Sequence, residues 1–422
     1  MSADRSGSYF IWRFAIAAIG LAACSWLLWN ATLVGATRLL SAHGAGANLI
    51  EPADQAVSIG ATDPESHTAR ANVRLNSGDA AGAASDLEKA IALRPGDFRL
   101  WMQLGNARDQ AGDTAKALVA FGEAVKLAPF YAQTHWQLGN LRLRAGQYDE
   151  AFAELRLAAI SQPTFLPQVI DLTWGIYNGD TGAVESVIDP QTPAARMALA
   201  IYFAQHGKAA DAIRLFRESR VAHDQQRRSL LTALLSARQF PEAYEIWAGN
   251  HDTLARERRN RSGLLIDGGF EGEIGLDDPG FGWQIKPDAQ AVQFSLDSGG
   301  PSAGARSLLV TWNGNPQPPA VISQLVLVEP MKRYQLTFDA RARNLVTAAP
   351  PVIAVADASA PATKLAQSDP LPQGAGEWRK FSFSFVTPEN TRAVLITLER
   401  QACTMDICPI FGQTWLDNIN LQ

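Results

Sequence analysis

With 422 residues, 47% of them apolar and 19% charged, the chain is too long for one ordinary core and too apolar for wholesale disorder. Two folded domains plus a short anchor are expected. A formal net charge of -5, from 37 Lys and Arg against 42 Asp and Glu, leaves no basic excess to neutralise a phosphate backbone and argues against nucleic acid as a partner.

The first element is an apolar helix. No charged residue lies between Phe14 and Thr37, and Phe14 to Val34 would run about 31 Å as a helix, the thickness of a bilayer's hydrocarbon core. Arg5 and Arg13 precede it and Arg38 follows, a small positive-inside bias, with Tyr9 and Trp12 at the entry. Residues 1–40 are therefore predicted to be a cytoplasmic tip and single-pass anchor in a bacterial inner membrane, residues 41–60 a linker, and the bulk periplasmic. Two alternatives use the same residues: a cleaved signal peptide, and a lipoprotein signal in which Leu21-Ala22-Ala23-Cys24 resembles a lipobox. Against both, Ser25 to Val34 stays apolar where a mature N-terminus turns polar. All three readings put the remaining chain outside the cytoplasm.

A fixed period follows. Gly78, Gly112 and Gly146 are 34 residues apart, as are Ala83, Ala117 and Ala151, Ala90, Ala124 and Ala158, and the bulky Leu87, Phe121 and Leu155. Pro95, Pro129 and Pro163 close the units, and Leu104-Gly105 returns as Leu138-Gly139, with Trp101 ahead of the first. Small residues let two helices approach, a bulky one fills the gap, and proline stops the second helix. The pattern resembles the tetratricopeptide repeat at nearly every signature position. A weaker unit has Gly207, Ala212 and Phe216, and a looser one Ala243 and Trp247, while Phe165 to Pro190 is degenerate, with an irregularity expected near Asn178-Gly179-Asp180. The resemblance implies an all-helical solenoid over residues 61–250, with five or six helix pairs and a concave groove for a protein segment. Asn106, Arg108, Asn140 and Arg142 are the groove candidates, each equally readable as part of a solvated helix face.

After a charged connector, residues 251–262, helical periodicity gives way to alternation. Tyr334, Leu336, Phe338 and Ala340 alternate with polar residues, as do Phe381, Phe383 and Phe385, and Val394, Ile396 and Leu398 continue the pattern. Residues 263–422 are thus predicted to be an all-β antiparallel sandwich or jelly roll. Asp267-Gly268-Gly269-Phe270-Glu271, Gly282-Trp283, the Tyr334 to Ala342 strand, Trp378 and the ending Thr414-Trp415-Leu416-Asp417-Asn418-Ile419 together resemble the galactose-binding-like jelly rolls that include many carbohydrate-binding modules. That resemblance implies a structural Ca2+ where first and last strands meet, with Glu271 and Asp417 as candidate ligands; alternatively both close the sheet edges by hydrogen bonds. It also implies core positions for Trp283, Trp378 and Trp415. Trp312, beside the turn Asn313-Gly314-Asn315, is the candidate for stacking on sugar, although its alternation with Leu308 and Val310 also fits a buried ring. Asn313 stands beside it, and a polar strand face with Asp339, Arg341 and Arg343 is either a ligand cleft or a solvated charge row.

Of three cysteines, Cys24 lies in the anchor, while Cys403 and Cys408 are near enough to bridge in an oxidising compartment. All six histidines precede the sandwich, so it cannot build a Ser-His or Cys-His nucleophile by itself. A protein-binding repeat joined to a sugar-module-like fold on one anchor predicts a non-catalytic scaffold in cell-envelope or exopolysaccharide assembly or secretion. The alternatives are a carbohydrate-active enzyme working through two carboxylates and a purely architectural protein–protein module.

Overall fold

The computed structural model describes residues 5–220, 224–249, 264–272, 274, 279–285, 292–314, 322–374, 376–403 and 408–422. Among them are fourteen α-helices followed by ten β-strands. The chain divides into two compact units, Met1–Asp189 and Pro190–Gln422.

Helix α1 (Arg5–Ala47) is the one helix among the described residues long and apolar enough to cross a membrane. It does not end at the expected linker. Thr37 and Ser41 are buried, and α2 (Ile50–Ile59) folds back along α1 with Ala53 and Ala56 fully buried. The contact is made by small residues: a Cβ added at Gly44 would stand 2.9 Å from the Ala53 nitrogen, and one at Gly60 would collide with Thr37. Residues 41–60 are thus a packed helical hairpin rather than a linker. Glycine and alanine carry the close approach without the large apolar periodicity that announces a helix.

Six helix pairs follow: α3 (Pro64–Asn76) with α4 (Ala80–Leu93), α5 (Phe98–Gln110) with α6 (Thr114–Leu127), α7 (Ala132–Arg144) with α8 (Tyr148–Ser161), α9 (Leu166–Ile176) with α10 (Thr181–Ile188), α11 (Pro193–Gln205) with α12 (Ala209–Ser219), and α13 (Asp224–Ser236) with α14 (Phe240–Ala248). Asp63, Asp79, Asp97 and Asp113 cap the first four of these helices through side-chain oxygens. Gly78, Gly112 and Gly146 turn the first three pairs with φ of 85°, 79° and 76°, the left-handed region that glycine enters without strain. The Leu-Gly signature has a direct cause. A Cβ on Gly105 would lie 2.7 Å from the Phe121 ring, and one on Gly139 2.7 Å from Leu155, so the bulky residue of each second helix rests on the glycine of the first.

A second regularity spans the same units. The His67 Nε2, Trp101 Nε1 and His135 Nε2 atoms each meet the carbonyl six residues earlier, at 3.0, 3.0 and 2.8 Å, so histidine stands in for tryptophan at this position. The hairpin α1–α2 is locked to the repeats by charge. Arg70 grips the fully buried Asp86 through Nε and Nη2 at 2.8 and 2.5 Å, Arg74 adds a third bond at 2.9 Å, and Arg70 Nη1 reaches Asp54 of α2.

In the second unit, Trp247 of α14 is buried and packs on Phe281, with Tyr244 edge-on to the same ring at 5.0 Å. The connector expected at residues 251–262 falls outside the described residues. The strands are β1 (Gln284–Ile285), β2 (Val292–Asp297), β3 (Ser307–Asn313), β4 (Ile322–Leu327), β5 (Arg333–Val346), β6 (Pro351–Asp357), β7 (Ala360–Gln367), β8 (Arg379–Val386), β9 (Ala393–Arg400) and β10 (Phe411–Leu421). They form two five-stranded antiparallel sheets, ordered β1-β4-β9-β6-β7 and β2-β3-β10-β5-β8. One core of Leu308, Val310, Trp312, Leu336, Phe338, Val355, Ile396 and Leu416 lies between them. Cys403 and Cys408 are disulfide-bonded, Cα to Cα 6.3 Å, just ahead of β10.

Candidate functional site

Two of the four predicted groove residues, Arg108 and Asn140, are engaged inside the protein. Arg108 donates to the Lys116 carbonyl and to Glu88 of the preceding pair at 3.2 and 2.9 Å, and Asn140 donates to the Trp136 carbonyl at 2.8 Å. Arg142 buries its Nε without a partner, and Asn106 is half-buried. Asn72, Asn106 and Asn140 occupy equivalent positions 34 residues apart. The first of these lines a cleft of about 330 Å³ with Glu65 and Thr68 of α3 and Arg38, Ser41 and Ala45 of α1.

In the sandwich, the outer face of the sheet β2-β3-β10-β5-β8 gathers aromatic and polar groups. Strand alternation sets it out. Thr414 and Leu416 point into the core, so Phe411, Gln413 and Trp415 point away from it. Cross-strand pairing places Ser295, Leu309, Trp415 and Arg341 in one row, then Gln293, Thr311, Gln413 and Arg343, then Asn313, Phe411 and Val346. Trp378, entering β8, joins the first row: Arg341 lies 4.8 Å from its ring and 4.6 Å from that of Trp415, a guanidinium held between two indoles. Arg343 stands over Trp415 at 5.5 Å. Phe411 is 51% exposed and rests on Gly314.

Three of the four expected glycan residues, Asn313, Arg341 and Arg343, share this face. Trp312 does not. It is 2% exposed, inside the core, and its Nε1 donates to Thr414 at 3.0 Å, so neither ring face is free for a sugar. The expectation for the tryptophans is corrected accordingly. Trp283 is in the core, stacked on Phe270 at 5.1 Å, but Trp378 and Trp415 lie on the outer face, and Trp415 is covered by the arginines of β5 rather than by the core. Phe411, Gln413 and Gln293 were missed. Their signal in the sequence was alternation opposite Thr414, usable only once the core side of β10 was known.

The electrostatics of the face are tightly paired. Asp297 accepts from the Gly299 N–H at 2.9 Å and Trp415 Nε1 at 2.6 Å, with Arg341 at 3.7 Å, which together hold its carboxyl below the usual range. Burial lowers the Arg341 guanidinium, opposed by Asp297. The loop between β2 and β3 closes over one end of the face. Arg341 Nη2 donates to the Gly299 carbonyl and Trp378 Nε1 to that of Gly300, both at 3.0 Å. Ser302 and Ala303 donate their N–H groups to Asp417, and Ala305 and Arg306 theirs to Glu271, while Ser302 Oγ bonds Asp339.

Glu271 and Asp417 are therefore hydrogen-bond acceptors that pin this loop to the first and last segments of the sandwich. Asp417, fully buried, accepts three backbone N–H bonds counting that of Asn418, and burial still pushes its carboxyl up. Calcium asks for a cage of oxygens, whereas the partners recorded for Glu271 Oε1 and for both Asp417 oxygens are N–H groups. Among the described residues no three His, Cys, Asp or Glu groups are placed to share a metal.

Comparison with known proteins agrees with this division. A family model of the tetratricopeptide repeat matches residues 68–132 and 103–164, and one described as a carbohydrate binding domain matches residues 262–404. No curated protein matches the chain. Similar solved structures include "Crystal structure of MamA", at 16% identity over 40% of this chain and 84% of that one, with a TM-score of 0.28. Another is "MamA RS-1 ArsTM double mutant", at 21% identity over 31% of this chain and 74% of that one, TM-score 0.29. A third, "MamA MSR-1 C2", shows 17% identity over 44% of this chain and 94% of that one, TM-score 0.29. The chain thus carries tetratricopeptide repeats, a protein-interaction module, followed by a domain of the carbohydrate-binding kind.

Proposed function

We propose that this protein is a membrane-anchored, extracytoplasmic scaffold that holds a protein partner on its repeats and a glycan on the outer face of the sheet β2-β3-β10-β5-β8, in cell-envelope or exopolysaccharide assembly or secretion. The observation that carries the glycan half is the outer face itself. The Trp378–Arg341–Trp415 stack lies at one end and the exposed Phe411 at the other, with amide and hydroxyl side chains between them. Aromatic faces stack on sugar rings and flanking polar groups take the hydroxyls. The face binds rather than turns over its ligand, since both recognised domain kinds are non-catalytic, and Asp339 and Asp417 serve the loop that covers them.

The anchor half rests on the exposed apolar run of α1, where Trp12, Phe14, Ile16, Ile19, Leu21, Trp26, Leu27, Leu28 and Trp29 are all exposed. The disulfide fits an oxidising compartment. The test is retention of the purified full chain, in detergent, on a panel of immobilised bacterial polysaccharides. Wild type is expected to be retained on at least one, and Phe411→Ala to lower that retention by about tenfold, the loss of one stacked ring. No retention on any polysaccharide ends the glycan half, and protease protection that puts the sandwich inside the cell ends the envelope reading.

A further inference from the structure

The charged groups on the sheet face are unevenly engaged. Asp297 is engaged by Gly299, Trp415 and Arg341. Arg341 is engaged in turn by Asp297, the Gly299 carbonyl and two indole rings. Asp417 and Asp339 are satisfied by the loop closing over them and by Asn418. Arg343 differs from all of these. It is exposed, and among the described residues its guanidinium makes neither a hydrogen bond nor an ion pair; it lies over the face of Trp415 at 5.5 Å and acts on Asp297 and Arg341 only through space. A cation on an indole ring keeps its N–H edges free for a second partner.

The surroundings say what that partner offers. Gln413 lies directly opposite Arg343, and Thr311 directly opposite Gln413, giving a row of one cation, one amide and one hydroxyl. Phe411 stands two residues further along β10, roughly 7 Å away, more than half exposed and beside the amide of Asn313. A neutral sugar would use the ring, the amides and the hydroxyl but leave the guanidinium without its natural acceptor. A carboxylate would take the planar fork bidentately.

Resting on the glycan reading above, we propose that the ligand of this face is an acidic polysaccharide, its carboxylate held by Arg343 while a neighbouring sugar ring stacks on Phe411. The experiment measures retardation of the full chain in detergent by polygalacturonate, alginate and hyaluronate, each beside its carboxyl-reduced counterpart, with polyglutamate as a non-sugar polyanion. At least one acidic polymer is expected to bind about tenfold or more tightly than its reduced form, with affinity falling as salt is raised. Arg343→Gln is expected to remove most of that preference, Arg343→Lys to restore part of it, and Lys364→Gln on the opposite sheet to change nothing. Equal binding of acidic and reduced polymers, or an unchanged preference in Arg343→Gln, overturns the acidic assignment while the glycan reading stands. Equal binding of polyglutamate overturns it in favour of bare charge attraction, and binding of no polysaccharide removes the glycan reading along with it.

Discussion

The repeats and the sandwich are held together over different distances along the chain. Gly105 meets Phe121 sixteen residues on, and the ring nitrogens of His67, Trp101 and His135 each meet a carbonyl six residues back. In the sandwich the same kinds of contact bridge far more chain: Trp312 bonds Thr414 across 102 residues and Ser302 bonds Asp417 across 115. Local contacts recur with the sequence and make each unit a variation on one plan. Long-range contacts recur with nothing, so a residue's role there depends on which strand folding brings beside it.

The largest effect expected from breaking this contrast comes at Trp312. Trp312→Ala empties a core position and leaves Thr414 without its donor, at a cost of about 3–5 kcal/mol. Hydrogen exchange should show protection lost together in β3, β10 and β5 while α3 to α8 keep theirs. If the helices lose protection equally, the two regions are not energetically separate. Gly105→Ala sharpens the other side. Its Cβ would press on the Phe121 ring at 2.7 Å, an overpacking worth about 1–3 kcal/mol, with deprotection confined to α5, α6 and their neighbours.

A smaller effect concerns pH. Asp297 titrates below the usual carboxylate range in the folded state. Its contribution is therefore fully present above the unfolded value of about 3.9 and is lost as pH falls through the folded value. Asp297→Asn should lower the urea midpoint at neutral pH and lose that difference in strong acid; a deficit that persists in acid would locate its role in packing instead. The smallest effect is predicted for calcium. With backbone N–H groups already bound to Glu271 Oε1 and to both Asp417 oxygens, added Ca2+ should leave the thermal midpoint where EDTA leaves it, whereas a rise that grows with calcium concentration would reveal a bound ion.

How much of the fold is legible in the chain follows the same line. The spacing of Gly78, Gly112 and Gly146 and the Leu-Gly pairs was readable because their packing is decided within one helix pair. The hairpin α1–α2 was not, since Gly44, Ala53 and Gly60 reveal their close contact only when paired. On the sheet face, Asn313, Arg341 and Arg343 were readable as polar strand positions, yet Phe411, Gln413 and Gln293 were not. Trp415 was placed in the core on the resemblance to carbohydrate-binding modules; it is covered instead by guanidinium groups more than 70 residues away along the chain.

What the sequence by itself determined is the order of parts: an apolar helix, a helical array of fixed period, then alternating strands. A period records how each side chain meets its near neighbours, and those meetings are the same in every unit. Tertiary structure alone decided the side of the sheet on which Trp312, Trp378 and Trp415 lie. Alternation says that successive residues point opposite ways; which way is inward is settled only when the second sheet buries one face.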